Sequence, residues 1–409
     1  MKRFIALFPA AMLLASMTLA QSITPNSLQQ HINILASDSL EGRGTATIGE
    51  IRAANYIARQ FQKAGLQPKG ANDSFFQPFT LSSKIDGFTH QQTARNVVGF
   101  LDNGAPKTIV IGAHYDHLGY GLQGGSLSPG STGQIHNGAD DNASGTSGVI
   151  ELARYLASND IRERYNFLFI AFSAEELGLI GSKYYVENAT VPLESVAFMI
   201  NMDMIGRYDA SKGLTIGGWG TTSWWGRLIP DIAASEKIKY SADSSGIGPS
   251  DHTSFYSKKM PVLFFFTGAH NDYHKPVDDS DKINAEGAAK VLSIITKLVA
   301  RLEKETGDPD YIEAANPHTA NTRSSFKVTL GVMPDYNFSG KGVKIDGVYA
   351  GRPAELAGIK AGDVVTRIGS YPIKDIYEYM DALGKHEKGQ TVEVEFQRDN
   401  KVQKSKLTF

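Results

Sequence analysis

The stretch Asn166-Phe167-Leu168-Phe169-Ile170-Ala171-Phe172 is apolar at every position after the first, and Ser173-Ala174-Glu175-Glu176 follows it directly. A short apolar run without alternation fits a strand buried on both faces. Thr108–Ala113, Val196–Asn201 and Val262–Phe266 read the same way, and Asn96–Leu101 is a further short strand. Helical patterns lie between these runs. Ile51, Ala54, Ile57 and Phe61 recur at helix spacing within Ser22–Gly70. Ser144–Leu156 and Glu175–Val186 also read as helices, and Ala285–Leu302 is amphipathic. Buried strands alternating with helices predict an α/β fold, a mainly parallel mixed sheet flanked by helices.

The chemistry-bearing residues follow the strand ends. His114-Tyr115-Asp116 comes after Thr108–Ala113, and Asp140-Asp141 after the Gly- and Ser-rich loop Gly119–Gly138. Glu175-Glu176 comes after Asn166–Phe172, Asp203 after Val196–Asn201, and His274 eight residues beyond Phe266. The carboxyl ends of strands in an open α/β sheet face one crevice, so these stations converge. Carboxylates gathered in a water-poor cleft repel one another and require a cation. Two histidines and several carboxylates without sulfur suit zinc, with manganese or cobalt as substitutes. The number of acids is enough for two metals bridged by a carboxylate.

Composition narrows the alternatives. The 409 residues suit two or three domains, and a net charge of -2 gives no basic footprint for nucleic acid. The chain has no cysteine, which excludes thiol nucleophiles, Cys-ligated zinc, iron–sulfur clusters and disulfides. Neither G-x-S-x-G nor H-E-x-x-H occurs, which counts against a serine hydrolase and a single-zinc helical metalloprotease. Gly119–Gly124 matches G-x-G-x-x-G but opens into more Gly and Ser, so it reads as loop. Lys2-Arg3, the apolar Phe4–Met17 and Thr18-Leu19-Ala20 lay out a secretory signal over residues 1–20. The expectation is an exported chain, periplasmic or secreted, without a stable membrane anchor.

Five motifs then carry a resemblance. GAHYDH (Gly112–His117), GADDNASG (Gly138–Gly145), SAEELGLIGS (Ser173–Ser182), NMDMIG (Asn201–Gly206) and DYHKPVDD (Asp272–Asp279) resemble the motif series of the double-zinc aminopeptidases. That clan also contains glutamate carboxypeptidase and the glutaminyl cyclases. SDSLEGRGT (Ser37–Thr45) is similar to the family's opening. The resemblance implies a zinc exopeptidase-like fold and an aminopeptidase that acts on peptides with free N-termini. It implies that His114 and Asp203 hold one zinc, that Glu176 and His274 hold the other, and that Asp141 bridges them. A cis peptide at Asp141–Asn142 belongs to the same pattern. Asp116 would accept the second N–H of His114, Glu175 would be general base and then acid, and Tyr273 would stabilise the oxyanion.

Glu305–Asn321 loses all periodicity and reads as a linker between a catalytic domain (residues 21–304) and a smaller α+β domain (residues 322–409). In the latter, Lys327–Val332, Gly342–Val348, Val364–Ile368 and Thr391–Phe396 are strand-like. Thr329–Val332 with Gly351–Gly369 resembles a PDZ domain of the bacterial type, which implies a peptide or protein ligand added as an extra strand. Rival readings are a glutaminyl cyclase-like activity, a carboxypeptidase and an inactive PDZ scaffold. His117, His252 and His270 read as structural or pocket-wall groups, and Trp219, Trp224 and Trp225 fit a pocket wall or a core equally.

Overall fold

The computed structural model describes residues 22–85, 88–128, 130–314, 328–334, 338, 340–348, 351–374, 376–399 and 401–409. The secretory segment 1–20 and the second part of the expected linker, residues 315–321, lie outside these. Two helices open the described residues, α1 (Pro25–Leu35) and α2 (Ile48–Lys63). A capping box starts α1: Ser27 N–H donates to Thr24 Oγ1 at 3.0 Å and Thr24 N–H to Ser27 Oγ at 3.2 Å. The helical reading of Ser22–Gly70 is thus resolved into two helices. Glu41, Gly42 and Arg43 all take positive φ, which no α-helix accommodates.

The strands of the larger unit are β1 (Gln67–Pro68), β2 (Phe76–Ile85), β3 (Phe88–Leu101), β4 (Thr108–His114), β5 (Asn166–Phe172), β6 (Val196–Met202), β7 (Leu214–Gly217), β8 (Tyr240–Ala242) and β9 (Val262–Phe266). They form one sheet in the order β1-β3-β5-β4-β6-β9-β7-β8, with β2 on β3. The centre, β5-β4-β6-β9, is parallel, while β3 and β7 join it antiparallel. The sheet is therefore mixed with a parallel core. Only Asn96–Leu101 of the β2–β3 hairpin was read from sequence, because Gln77, Thr80, Ser82, Ser83 and Lys84 interrupt any apolar run in β2.

Successive residues of the central strands face opposite sides. Ile109, Ile111, Phe167 and Phe169 pack into one core with α1, α2, α3 (Gly145–Ser158), α5 (Trp224–Ser235) and α7 (Ala285–Leu302). Val110, Leu168, Ile170 and Phe172 pack into another with α4 (Ile180–Glu187) and α6 (His252–Tyr256). The helix read over Glu175–Val186 starts only at Ile180, after a turn in which Ala174 and Leu179 take positive φ. Residues 305–314 do not behave as a free linker. Arg164 Nη2 donates to Gly307 O at 2.7 Å, Tyr165 OH to Asp308 at 2.9 Å, and Ile312 N–H to Thr221 O at 2.8 Å. Ala314 is buried in the second core.

The C-terminal sheet runs β10-β11-β12-β14-β15, where β10 is Val332–Pro334, β11 Val343–Val348, β12 Val364–Ile368, β14 Thr391–Arg398 and β15 Lys401–Thr408. The short β13 (Tyr371–Pro372) pairs with β12. Leu330, Ile345, Val365, Ile368, Phe396 and Leu407 make its core. Among the described residues no helix is long and apolar enough to cross a membrane.

Candidate metal centre

The centre lies at the carboxyl ends of the parallel strands, the ligand-binding end of such sheets. His114 is the last residue of β4 and is buried. Its Nε2 lies 3.4 Å from Asp141 Oδ1 and 3.3 Å from Asp203 Oδ1. Asp203 follows β6 directly, and Asp141 sits in the turn Ala139–Ser144 that enters α3. The other oxygen of Asp141, Oδ2, faces His274 Nε2 at 3.1 Å, and that nitrogen is also 3.2 Å from Glu176 Oε2. One carboxylate therefore presents an oxygen to each of two donor groups. The Asp141–Asn142 peptide is cis.

Two sets of donor atoms come close enough to share an ion: His114, Asp141 and Asp203, and His117, Asp141 and Glu176. His274 abuts the second set through the same two carboxylates. Each set holds nitrogen and carboxylate donors without sulfur, which fits zinc. Burial alone would raise the Asp141 carboxyl. Hydrogen bonds from His114 and His274 and the nearby His117 outweigh it, holding Asp141 well below the usual range. Burial would likewise lower the two imidazoles, but Asp203 and Glu175 around His114, and Glu176 and Asp141 around His274, raise both well above the ordinary value. Ion binding would replace those protons, since ligating imidazole is neutral.

Glu175 lines the cleft beside His114, Glu176 and Asp203. Burial, opposed by His114 and reinforced by Glu176 and Asp251, raises its carboxyl well above the usual carboxylate range. Asp116 behaves differently from the expectation. His114 Nδ1 meets the main-chain carbonyl of Asp116 at 3.2 Å, while the Asp116 carboxylate lies 3.8 Å away. That carboxylate is turned aside by two other donors, Thr45 Oγ1 at 2.8 Å and the Glu175 N–H at 3.1 Å. Its contact is thus with the backbone of the base candidate.

The cleft is open to solvent and is walled by Met204, Phe264, Phe266 and Tyr273 among others. Tyr273 stacks on His274 with ring centroids 3.9 Å apart. His252 is a wall residue, lying parallel to Phe264 at 4.4 Å, and burial takes its imidazole down to about 3. His270 bonds Asp140 Oδ2 at 3.1 Å. Among the described residues no tryptophan lines the cleft: Trp225 is buried against Phe198 at 5.1 Å, and Trp224 is also in the core.

The contacts of three supporting residues were not read from sequence. Arg43, fully buried, donates to the carbonyls of Tyr115 at 2.7 Å, Asn137 at 2.7 Å and Gly138 at 3.0 Å, and also to that of Leu35. Asp278 accepts from the main chain of the Asp140-Asp141 turn. His117 contacts Glu176. All three lie inside the quoted motifs, so their positions were marked although their partners were not.

Comparison with known proteins supports the fold. A zinc-dependent exopeptidase from Parabacteroides distasonis superposes with a TM-score of 0.56 at 17% identity, over 69% of this chain and 99% of that one. A zinc aminopeptidase from Bacillus subtilis gives 0.54 at 18% identity, over 71% and 98%. The fold is thus that of the zinc exopeptidases. Residues 96–299 match the model of peptidase family M28, and residues 309–408 match that of the PDZ domain. The chain belongs to peptidase family M28 and carries a C-terminal PDZ domain. Aminopeptidase YwaD of Bacillus subtilis is 30% identical over 247 residues, 56% of this chain and 49% of that protein. Leupeptin-inactivating enzyme 1 of Streptomyces exfoliatus is 26% identical over 285 residues, 68% of this chain and 58% of that protein. The chain therefore spans about half to three fifths of the length of these relatives.

Proposed function

We propose that the protein is an exported, zinc-dependent aminopeptidase that removes N-terminal residues from peptides. The observation that carries this reading is Asp141, whose two oxygens face His114 and His274 on opposite sides. His114, Asp141 and Asp203 would hold one zinc, and Asp141, Glu176 and His274 a second. Bound zinc supplies Lewis-acid polarisation of the scissile carbonyl and an acidified water. Glu175, outside both sets, would take a proton from the attacking water and deliver it to the leaving amine, as base and then acid. Its raised carboxyl suits the second task. Tyr273, which lines the cleft, would stabilise the developing oxyanion.

Asp243 lines the cleft outside both proposed zinc sets, where an acid favours a free amine. The aminopeptidase names of the relatives support the same direction. Lys2-Arg3 and the apolar Phe4–Met17 support export. In the PDZ domain β10 is an edge strand, which supports capture of a peptide by strand addition.

Mass spectrometry of an unblocked peptide and its N-acetylated twin tests the reading, using the zinc-loaded protein. Stepwise loss from the free N-terminus alone is the expected result. Trimming from the C-terminus, cyclisation of an N-terminal glutamine, or no change would overturn it.

A further inference from the structure

His117 lies three residues beyond His114 and is only 1% exposed. Its ring is held against the backbone at Gly138. That glycine has φ +55, and a Cβ there would come within 2.5 Å of the imidazole. His117 Nδ1 is 2.7 Å from Glu176 Oε1. The next acceptor, Asp141 Oδ2, is 3.8 Å away, too far for a hydrogen bond. His117 Nε2 has no hydrogen-bond partner among the described residues.

The two oxygens of Glu176 therefore have different neighbours. Oε1 faces His117, and Oε2 faces His274 Nε2 at 3.2 Å. A carboxylate can chelate an ion through both oxygens, but an oxygen that accepts a short hydrogen bond has a directional commitment elsewhere. The imidazole must donate from Nδ1, because a carboxylate only accepts. The unpaired Nε2 is then a buried lone pair, tolerated for the sake of the Nδ1 contact.

We infer that His117 is a positioning residue that engages Glu176 Oε1 and so presents Glu176 to the second ion through Oε2 alone. This rests on the proposed role of Glu176 as a zinc ligand. Its consequence is a second position with three protein donors, Asp141 Oδ2, Glu176 Oε2 and His274 Nε2, and room for a non-protein ligand. Ligating carboxylates commonly rely on hydrogen bonds of this kind from a neighbouring side chain.

The two amide substitutions separate the nitrogens of the ring. In His117→Asn the amide N–H₂ falls near Nδ1, and in His117→Gln it falls near Nε2. Zinc affinities measured by competition with a chromophoric chelator should show two ions in the parent. His117→Gln should weaken one of them by about 10–100-fold and leave the other unchanged. His117→Asn should retain the parental pair. X-ray absorption of the fully loaded parent should report an average of one imidazole per zinc, from His114 and His274. An excess over one would make His117 a direct ligand and overturn the inference. Unchanged affinities in His117→Gln, or parallel loss at both positions, would overturn it too. A parent that binds no zinc would instead remove the metal reading itself, and this assignment with it.

Discussion

Asp278 Oδ2 accepts the main-chain N–H groups of both Asp140 and Asp141, at 2.9 and 3.2 Å. Its other oxygen lies 3.4 Å from Arg207 Nη2. A carboxylate from the distant motif at 272–279 thus holds the backbone that aims Asp141. Asp278→Ala leaves two buried donors unpaired, at about 1–3 kcal/mol each. The variant should unfold at lower urea concentration by a corresponding amount, and its zinc content after dialysis should fall. A variant with parental stability and zinc content would show that the turn holds itself.

Glu175→Gln removes the proposed base without touching either donor set. Its zinc content should stay parental, while kcat falls by about 10²–10⁴-fold. Metal analysis alongside peptide turnover checks this, and a fully active variant would exclude the role.

Glu50 is buried under the site, accepting from the Ala46 N–H at 2.7 Å and from the Ser173 hydroxyl. Burial, against the Ser173 bond, raises its carboxyl from 4.5 to about 8. The folded state therefore holds this proton after the unfolded chain has lost it. Its contribution is fully present below about pH 4.5 and is lost as pH rises toward about 8, with a slope of up to ~1.4 kcal/mol per pH unit. Glu50→Gln keeps the shape of the neutral acid and should flatten that slope. Urea unfolding of parent and variant between pH 5 and about pH 8 measures it.

Arg43 is a cation enclosed by carbonyl oxygens, and burial lowers its guanidinium to about 10 despite Asp141, Asp116 and Asp278 nearby. Arg43→Met keeps the stem and deletes the donors. Four carbonyls then lose a partner, so a loss of about 3 kcal/mol or more in unfolding free energy is expected. Thermal unfolding should move down with it. A neutral result would mean that water replaces the guanidinium.

The sheet was legible because β4, β5, β6 and β9 are buried along their whole length, which writes itself as unbroken apolar sequence. The stations His114, Asp141, Glu175, Glu176, Asp203 and His274 were legible because strand ends converge. The supporting contacts were not. Asp278 reaches Asp140 across 138 residues of chain, and no local pattern encodes such a pairing. For the same reason, the side chain of Asp116 could be assigned to His114 from sequence although Thr45 and the Glu175 N–H claim it. Residues 305–314 looked like a linker because they lack periodicity. Their docking depends on single backbone and side-chain bonds to Arg164, Tyr165 and Thr221.

Ala174, Met204 and His274 all have positive φ, at 56°, 51° and 54°. Each stands next to or within the proposed metal and base residues, and none is a glycine. Such conformations cost of the order of 1–3 kcal/mol apiece. Glycine at 174 would relax that strain, whereas at 204 it would also delete the buried Met204 side chain and cost more than it relieves. At these three positions, beside the proposed metal and base residues, local robustness is given up for the aim of a few side chains.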